Sequence, residues 1–284
     1  MKNTDKAVKY FLSLHFAVLL FGGAALFARW LMLPALVIVA GRVFFAAISL
    51  AVLLKINKQL SFKQTNIALL VISGFLLAFH WFAFFRSLQL ATIGLALLSY
   101  STFPVFTAFL EPMIGTTKWR MSSVIFALIV FSGLYLVLPD KGSTNLLAVM
   151  WGVLSAISFA LISIVNKKMT SQMSAFSISF YMNVFAFAGL LPFLFFIKIS
   201  LSLNDIFLLV LLGVVFTALA HTLFIYGLKK ISASHASLIA ALEPVYGILL
   251  AFMLLNEVPS VKMIAGGLII MATIFISTFQ ERKG

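Results

Sequence analysis

Ten long apolar segments, separated by short polar connections, constrain the fold of this chain more than any other feature. An α-helix needs about 20 apolar residues to cross a bilayer, and most of the segments approach that length. The connections are often fewer than ten residues long, which leaves no room for a soluble domain. We therefore predict an all-α polytopic membrane protein with ten transmembrane helices, at residues 10–29, 35–54, 66–87, 91–113, 121–138, 146–165, 174–197, 206–227, 233–255 and 262–279.

The composition excludes a soluble fold. Of the 284 residues, 63% are hydrophobic and only 10% are charged, and a soluble protein of this size could not bury so much apolar surface. The absence of cysteine excludes disulfides, thiolate metal sites and cysteine nucleophiles. No signal-peptide cleavage site follows the N-terminal residues. No HExxH pattern is present either, so we predict no metal and no other cofactor.

The net charge of +13 suggests a nucleic-acid partner, but the positions of Lys and Arg explain the charge differently. An even number of spans puts both termini on one side, which carries 14 basic residues against 5 on the other. The positive-inside rule then places both termini in the cytoplasm, and we predict the bacterial inner membrane and no nucleic-acid partner. The cytoplasmic set is Lys2, Lys6, Lys9, Lys55, Lys58, Lys63, Lys118, Arg120, Lys167, Lys168, Lys229, Lys230, Arg282 and Lys283. The opposite set is Arg29, Arg86, Lys141, Lys198 and Lys262.

The two halves of the chain resemble each other at an offset of 140 residues. The segment LQLATIGLALLSYSTFPVFTAF, from Leu88, aligns without a gap over LKKISASHASLIAALEPVYGIL, from Leu228. The alignment places Pro104 over Pro244, which is informative because the chain has only 7 prolines. The pattern therefore predicts an internal duplication.

The offset divides the chain into residues 1–140 and 141–284, with five predicted spans in each. Because five is an odd number, the two repeats are inserted into the membrane in opposite orientations. Inverted repeats allow one fold to open to either face of the membrane, which is the structural basis of alternating access.

Glu243 is the leading candidate for a functional residue. It lies near the middle of the predicted span 233–255, at about the depth of the bilayer midplane. An ionisable residue at that depth usually faces the bundle interior or a water-filled path. We predict that Glu243 binds a substrate ammonium or a coupling proton. The alternative is a neutral carboxylic acid that is hydrogen-bonded in the packed interior.

A proline lies at a similar depth in each of the two matched spans. Pro244 follows Glu243 directly, and Pro104 lies at the equivalent position of the fourth span. Proline removes a backbone donor and crowds the preceding turn, so we predict a bend in each helix at these residues. A bend beside a buried charge suits a gate, and we predict that Pro104 and Pro244 act as hinges.

Two further charged residues fall within predicted spans. Glu111 is seven residues before Lys118, so pairing with Lys118 or Arg120, or a role at a helix end, competes with contact to a substrate. Arg42 lies about eight residues into the second span and needs a carboxylate, backbone carbonyls or access to the surface. A structural ion pair and the binding of a substrate carboxylate are both open for Arg42.

Polar aromatic residues complete the candidate pathway. His80 and Trp81 lie in the outer half of the third span, and His221 lies in the inner half of the eighth. The 140-residue offset relates Trp81 to His221, which predicts matching depths on opposite sides of the midplane. A hydrogen-bonded core histidine is the alternative to a proton relay or substrate contact. Three more candidates for the pathway, with packing as the alternative, are Tyr100, Tyr246 and Asn183.

Several of these residues fall in segments that resemble a known family. LEPVYGILLAFMLLNE (242–257) precedes GGLIIMATIFIS, and the first half carries GRVFFAA (41–47) and SYSTFPVFTAFLEP (99–112). On these segments the chain resembles the EamA-type transporters of the drug/metabolite transporter superfamily. The resemblance implies ten helices, cytoplasmic termini, a central cavity between the halves, and export or exchange of small metabolites, often amino acids.

One departure from the family pattern concerns its last acid. Glu257 ends the second motif, whereas the matching position in the first half is Thr117. The mismatch argues against a role that needs a symmetric pair of acids. The positions that fall in the matching motifs are Arg42, Pro104, Glu243 and Pro244.

We therefore predict a secondary transporter that exports or exchanges a small metabolite of the amino-acid type, with the lipid bilayer around it and protons as the candidate coupling ion. An exporter of lipophilic cations is the alternative within the same class. An intramembrane enzyme acting on a lipid belongs to another class and needs a convergent set of acid, base or metal groups that the sequence does not offer. A scaffold without transport activity would leave the duplicated hinges and Glu243 unexplained.

Overall fold

The structure is a computed structural model that describes residues 2–58, 66–114, 117–136 and 146–281. Within these ranges every regular element is helical. The elements are α1 (Lys2–Ala24), α2 (Phe27–Trp30), α3 (Ala35–Ile56), α4 (Ile67–Leu90), α5 (Ile93–Tyr100), α6 (Phe103–Met113), α7 (Met121–Tyr135), α8 (Leu146–Met169), α9 (Ala175–Leu194), α10 (Leu203–Gly213), a π-helical turn (Val214–Leu219), α11 (Ala220–Leu228), α12 (Ala233–Ala240), α13 (Glu243–Leu255) and α14 (Val261–Glu281).

Eight helical segments are long and apolar enough to cross a membrane, which confirms a polytopic all-α membrane protein. They match eight of the predicted spans to within a few residues at each end. They are Val8–Trp30, Ala35–Ile56, Ile67–Leu90, Ile93–Met113, Leu146–Met169, Ala175–Leu194, Leu203–Leu228 and Ala233–Leu255.

The fifth and tenth predicted spans coincide with α7 and α14. Their apolar stretches, Val124–Gly133 and Ile264–Thr273, are shorter than the other eight, so the full set of ten spans stays a prediction. The predicted boundary between residues 140 and 141 lies outside the described ranges, as do Lys63, Lys141, Arg282 and Lys283.

Polar residues in the short connections determine where many helices begin. A side-chain oxygen of the residue just before the helix accepts a hydrogen bond from a backbone N–H of the first turn, as at Ser232 before α12. This bond satisfies one of the donors that a helix start leaves open. The same arrangement begins α4, α5, α9 and α10, at Asn66, Thr92, Ser174 and Ser202.

The helices pack as a single bundle with α1, α4 and α8 at its centre. Helix α4 packs mainly on α8 and α9, α1 packs on α11 and α13, and α8 also packs on α5 and α6. Helices α7 and α14 pack mainly on each other. Buried aromatic side chains fill the centre, among them Phe21, Phe84, Tyr100, Phe159 and Phe224. Many Phe, Leu and Ile side chains face outward, as a lipid environment requires.

Glycine allows the closest helix crossings. A Cβ atom at Gly22 of α1 would lie 2.9 Å from the backbone nitrogen of Gly247 in α13. A Cβ atom at Gly152 of α8 would lie 2.5 Å from Cβ of Ser99 in α5. These contacts hold α1 and α8 directly against the two interrupted spans, α12–α13 and α5–α6.

Candidate functional site

The site forms where two spans are interrupted at the middle of the bundle. Tight turns separate α5 from α6 and α12 from α13, with Ser101 N donating to the Leu97 carbonyl at 2.9 Å and Ala241 N to the Ser237 carbonyl at 3.0 Å. Interrupted helices of this kind commonly form the binding sites of transporters at mid-membrane.

Proline lies just after each interruption. Pro104 and Pro244 occupy the first turn of α6 and of α13, where the missing N–H removes no helical hydrogen bond. The sequence predicted a continuous helix bent at each proline. The structure instead ends one helix and begins another, because proline is better accommodated at a helix start than in a helix interior.

Arg42 of α3 lies at the centre of this site and has 0% of its surface exposed. Its Nε donates to Oγ1 of Thr217 at 2.9 Å, and its Nη2 donates to the carbonyl oxygen of Phe216 at 3.2 Å. The guanidinium carbon lies 3.3 Å from the centre of the Trp81 ring, which is a stacked cation–π contact. Nη1 has no hydrogen-bond partner among the described residues.

The π-helical turn supplies both hydrogen-bond partners of Arg42. Thr217 Oγ1 donates to the carbonyl of Leu212 at 2.7 Å, so its lone pairs remain to accept from Arg42. A π-helical turn places an extra residue in the helix and is frequent at functional sites. Here the turn directs a hydroxyl and a carbonyl at one buried cation.

Glu243 is the first residue of α13 and is 1% exposed. Its Oε2 has no hydrogen-bond partner, and among the described residues it forms no ion pair. Arg42 and Glu243 therefore do not form the structural ion pair that the sequence left open for Arg42.

Aromatic and imidazole rings pack around the Trp81 ring that stacks on Arg42. The rings of His80 and Trp81 are 4.6 Å apart, those of Trp81 and His221 are 5.5 Å apart, and those of His80 and Tyr100 are 5.5 Å apart. Phe21 of α1 packs on His221 at 5.0 Å. The structure thus brings Trp81 and His221, predicted at opposite sides of the midplane, into contact.

Several ring nitrogens in this cluster lack partners. His80 Nδ1 lies 2.8 Å from Oγ of Ser155 on α8, which orients the ring, whereas His80 Nε2 is unpaired. The other buried ring nitrogens without a hydrogen-bond partner among the described residues include Trp81 Nε1 and His221 Nε2. An occluded site with this many unsatisfied polar atoms is suited to bind a polar molecule.

Three predicted residues lie outside this cluster. Glu111 is 0% exposed and accepts hydrogen bonds from the backbone nitrogens of Ala233 at 2.9 Å and Ser234 at 2.7 Å, and from the Ser234 hydroxyl. This contact is a role at a helix end, at the first turn of α12. Asn183 donates to the Ser179 carbonyl of its own helix at 2.8 Å. Tyr246 is half-buried, one turn after Glu243.

Sequence reasoning missed several residues that shape the site, including Thr217, Phe21, Phe159 and Ser155. Thr217 acts through the π-helical turn, which no pattern in the sequence indicates. Phe159 of α8 contacts Phe21, His80, Tyr100, Phe103 and Phe224, but it is one of 31 phenylalanines and carries no distinguishing signal. Within the described residues, no group of three His, Asp or Glu side chains could hold a metal ion.

Comparisons with known proteins relate the chain to transporters. Residues 146–279 match the EamA-like transporter family. The "Uncharacterized transporter YxxF" of Bacillus subtilis (strain 168) is 24% identical over 277 residues, covering 94% of this chain and 88% of that protein. The "S-adenosylmethionine uptake transporter" of Rickettsia prowazekii (strain Madrid E) is 27% identical over 246 residues, covering 85% of this chain and 82% of that protein.

A crystal structure supports the fold. It matches with a TM-score of 0.78 at 17% identity and covers 96% of this chain and 98% of the matched chain. The EamA-like match over residues 146–279 and the relatives named as transporters confirm the resemblance to the EamA-type transporters that the sequence showed. The family and the names of the relatives indicate a transporter rather than an enzyme.

Proposed function

We propose that this protein is a secondary transporter that carries a small zwitterionic metabolite, of the amino-acid class, by alternating access. The observation that carries the proposal is the presence of two buried opposite charges, Arg42 and Glu243, that form no ion pair with each other. A substrate with a carboxylate and an ammonium group would pair with both side chains, its carboxylate with Arg42 and its ammonium with Glu243.

Burial of an unpaired charge is costly, so buried charges are normally paired or bound to a ligand. Arg42 keeps Nη1 unpaired, and Glu243 keeps Oε2 unpaired. A substrate carboxylate fits the planar guanidinium, whose orientation is held by Thr217 and by the Trp81 ring. A substrate ammonium, or a coupling proton, fits Glu243. The surrounding rings would contact the apolar part of the substrate.

Relatives named as S-adenosylmethionine uptake transporters support a substrate of this class, because S-adenosylmethionine carries an amino-acid carboxylate and ammonium. Their names refer to uptake, whereas the family resemblance implied export. We propose exchange as the activity that accommodates both directions.

The alternating-access part of the proposal rests on the two halves. Helices α5 and α12 each have eight residues and begin 140 residues apart, at Ile93 and Ala233. Each is followed by a turn and a second helix that begins beside a proline. We propose inverted repeats of five spans with both termini in the cytoplasm of the bacterial inner membrane, consistent with the excess of Lys and Arg on that side.

The test is transport by the purified protein in liposomes. Labelled amino acids and S-adenosylmethionine are offered with and without an imposed pH gradient, in uptake and in counterflow. We expect saturable transport of one zwitterion by the wild type, and an apparent affinity about 10- to 100-fold lower in Glu243→Gln. Asp205→Asn, the same chemical change at the start of α10, is the control and should transport normally. Equal transport by wild type and Glu243→Gln would remove Glu243 from the mechanism.

Export of lipophilic cations is the second candidate, favoured by the buried cluster of aromatic rings and by the buried carboxylate of Glu243, whose Oε2 has no hydrogen-bond partner. Arg42 in the same site opposes it, since a guanidinium repels a cationic substrate. Competition decides between the two: a lipophilic cation that displaces the labelled zwitterion and is itself transported would favour the second candidate.

A further inference from the structure

Arg29, at the end of the first span, holds the connection between α4 and α5. Its Nη1 donates to the Leu88 carbonyl at 2.9 Å and its Nη2 to the Ala91 carbonyl at 2.7 Å. Its Nε donates to Oε1 of Glu257 at 3.2 Å, and Oε2 of Glu257 accepts from the backbone nitrogen of Ile93 at 3.3 Å. We call this group of Arg29, Glu257 and the α4–α5 connection the first clamp.

Lys167, near the end of α8, holds the connection between α11 and α12 in the same way. Its Nζ donates to the Leu228 carbonyl at 2.6 Å and to the Ile231 carbonyl at 2.9 Å. Glu111 accepts from the first N–H groups of α12, beginning with Ala233. We call the group of Lys167, Glu111 and the α11–α12 connection the second clamp.

The backbone atoms in the two clamps correspond at the 140-residue offset. The cations and acids themselves do not occupy matched positions, so the same chemistry is supplied from different places in the two halves. The matched residues are Leu88 with Leu228, Ala91 with Ile231, and Ile93 with Ala233.

The two clamps lie at opposite ends of both interrupted spans. The span Ile93–Met113 begins at the first clamp and ends at the second, where Glu111 lies. The span Ala233–Leu255 begins at the second clamp and ends at the first, where Glu257 lies. Each span is about 30 Å long, and the interruptions that form the Arg42–Glu243 site lie midway between the clamps.

We propose that the two clamps are the gates of the transport path, one on each face, and that they release alternately. This inference rests on the proposed transport function. In each clamp the cation and the helix connection come from one half of the chain, and the acid comes from the other half. Separating the halves at one face must therefore break the contacts of that acid, while the clamp on the other face keeps the path closed.

The two clamps differ in strength. The side chains of Arg29 and Glu257 are 31% and 29% exposed, and Glu257 accepts a single backbone N–H. Glu111 is fully buried and accepts from two backbone nitrogens and a hydroxyl. Charge-assisted contacts weaken when water reaches them, so the face at the first clamp opens more readily.

The test uses the absence of native cysteine. Ser101→Cys, at the interruption between α5 and α6, reports access to the site when a membrane-impermeant maleimide is added to one side of sealed vesicles. Met32→Cys and Ser171→Cys, placed singly at exposed positions beyond the first and second clamps, identify the two faces.

We expect Glu257→Gln to raise the labelling rate of the Ser101→Cys reporter about tenfold from the face of the first clamp only. Glu111→Gln should do the same from the opposite face. Ser234→Ala, which removes only the hydroxyl donor to Glu111, is the milder variant and decides the outcome if Glu111→Gln does not reach the membrane. Asp205→Asn should leave labelling unchanged.

Labelling that rises equally from both faces in Glu257→Gln and Ser234→Ala, or from neither face, would overturn the clamps as gates. The measurement requires no substrate. Sided labelling together with no zwitterion transport would therefore retain the gates and reject the proposed substrate. Zwitterion transport without sided labelling would retain the substrate and reject the gates.

Discussion

Glu111 and Glu243 stand in the same tripeptide, Leu-Glu-Pro, and both are buried in the bundle, at 0% and 1% exposure. Their surroundings differ completely. Glu111 lies near the end of α6 and accepts three hydrogen bonds at the start of α12. Glu243 begins α13 at the central interruption, and its Oε2 has no partner among the described residues.

The difference separates a structural carboxylate from one available to a ligand. A buried carboxylate that is fully hydrogen-bonded stabilises the fold around it, and replacing it leaves donors unsatisfied. A buried carboxylate without partners costs stability rather than adding to it, which agrees with the binding role that we propose for Glu243. Mutations at the two residues should therefore affect different properties of the protein.

The largest expected effect is on transport by Glu243→Gln. Loss of a charge-assisted contact to a substrate ammonium should lower apparent affinity by about 10- to 100-fold. The midpoint of thermal unfolding in detergent should not fall below that of the wild type, because no hydrogen bond of the fold is lost and an unpaired buried charge is removed. Initial transport rates over a concentration series check the first part. A Glu243→Gln protein that unfolds at a lower temperature than the wild type and transports normally would show that Glu243 is the structural carboxylate.

Arg42→Lys should have the next largest effect. Lysine keeps the charge but cannot stack flat on Trp81 while donating to both Thr217 and a substrate carboxylate. We expect about tenfold weaker transport of the zwitterion. Comparison with a substrate analogue whose carboxylate is converted to an amide is the check: the wild type should discriminate between the two, and Arg42→Lys should discriminate less. Unchanged discrimination would show that Arg42 does not bind the substrate carboxylate.

Glu111→Gln should act on stability. An amide offers one acceptor oxygen and brings two hydrogens towards the N–H groups of α12, so at least one donor is left unsatisfied at a cost of about 1–3 kcal/mol. The unfolding midpoint should fall by several degrees. Glu257→Gln, at the more exposed clamp, is the matched control and should lower it by about 2 °C or less. Equal shifts in the two variants would contradict the ranking of the clamps.

The smallest effect is expected at the crossing of α1 and α13. A methyl group at Gly22 would lie 2.9 Å from Gly247 N and 3.0 Å from the Glu243 carbonyl, so Gly22→Ala should displace the start of α13 and reduce transport a few-fold. Gly267→Ala is the matched control, because its methyl group would meet Val245 no closer than 3.8 Å. Transport assays on both variants check this expectation, and equal activity in the two would show that the crossing tolerates the added atom.

Much of the fold was predictable because the length of the apolar segments and the polar residues between them determine where spans begin and end. Eight predicted spans agree with the structure to within a few residues, and the matched prolines Pro104 and Pro244 indicated where two spans are interrupted. The form of the interruption was not predicted, because a proline is compatible with either a bend or a new helix start.

The site was predictable only in part. Depth in a span predicted that Arg42 and Glu243 are buried, which the structure shows, but the partners of Arg42 come from a turn 174 and 175 residues away. The role of Glu111 likewise depends on N–H groups 122 and 123 residues away. Contacts over such distances follow from packing, and the shared Leu-Glu-Pro sequence cannot distinguish the two glutamates.

The most direct test of the account is a binding cycle on purified protein. The affinities of wild type and Glu243→Gln are measured for the transported zwitterion and for its deaminated analogue, in which hydrogen replaces the amino group. We predict that removal of the amino group weakens binding to the wild type by about tenfold or more and leaves binding to Glu243→Gln unchanged. The same loss in both proteins would show that Glu243 does not bind the ammonium group, and would contradict the proposed site.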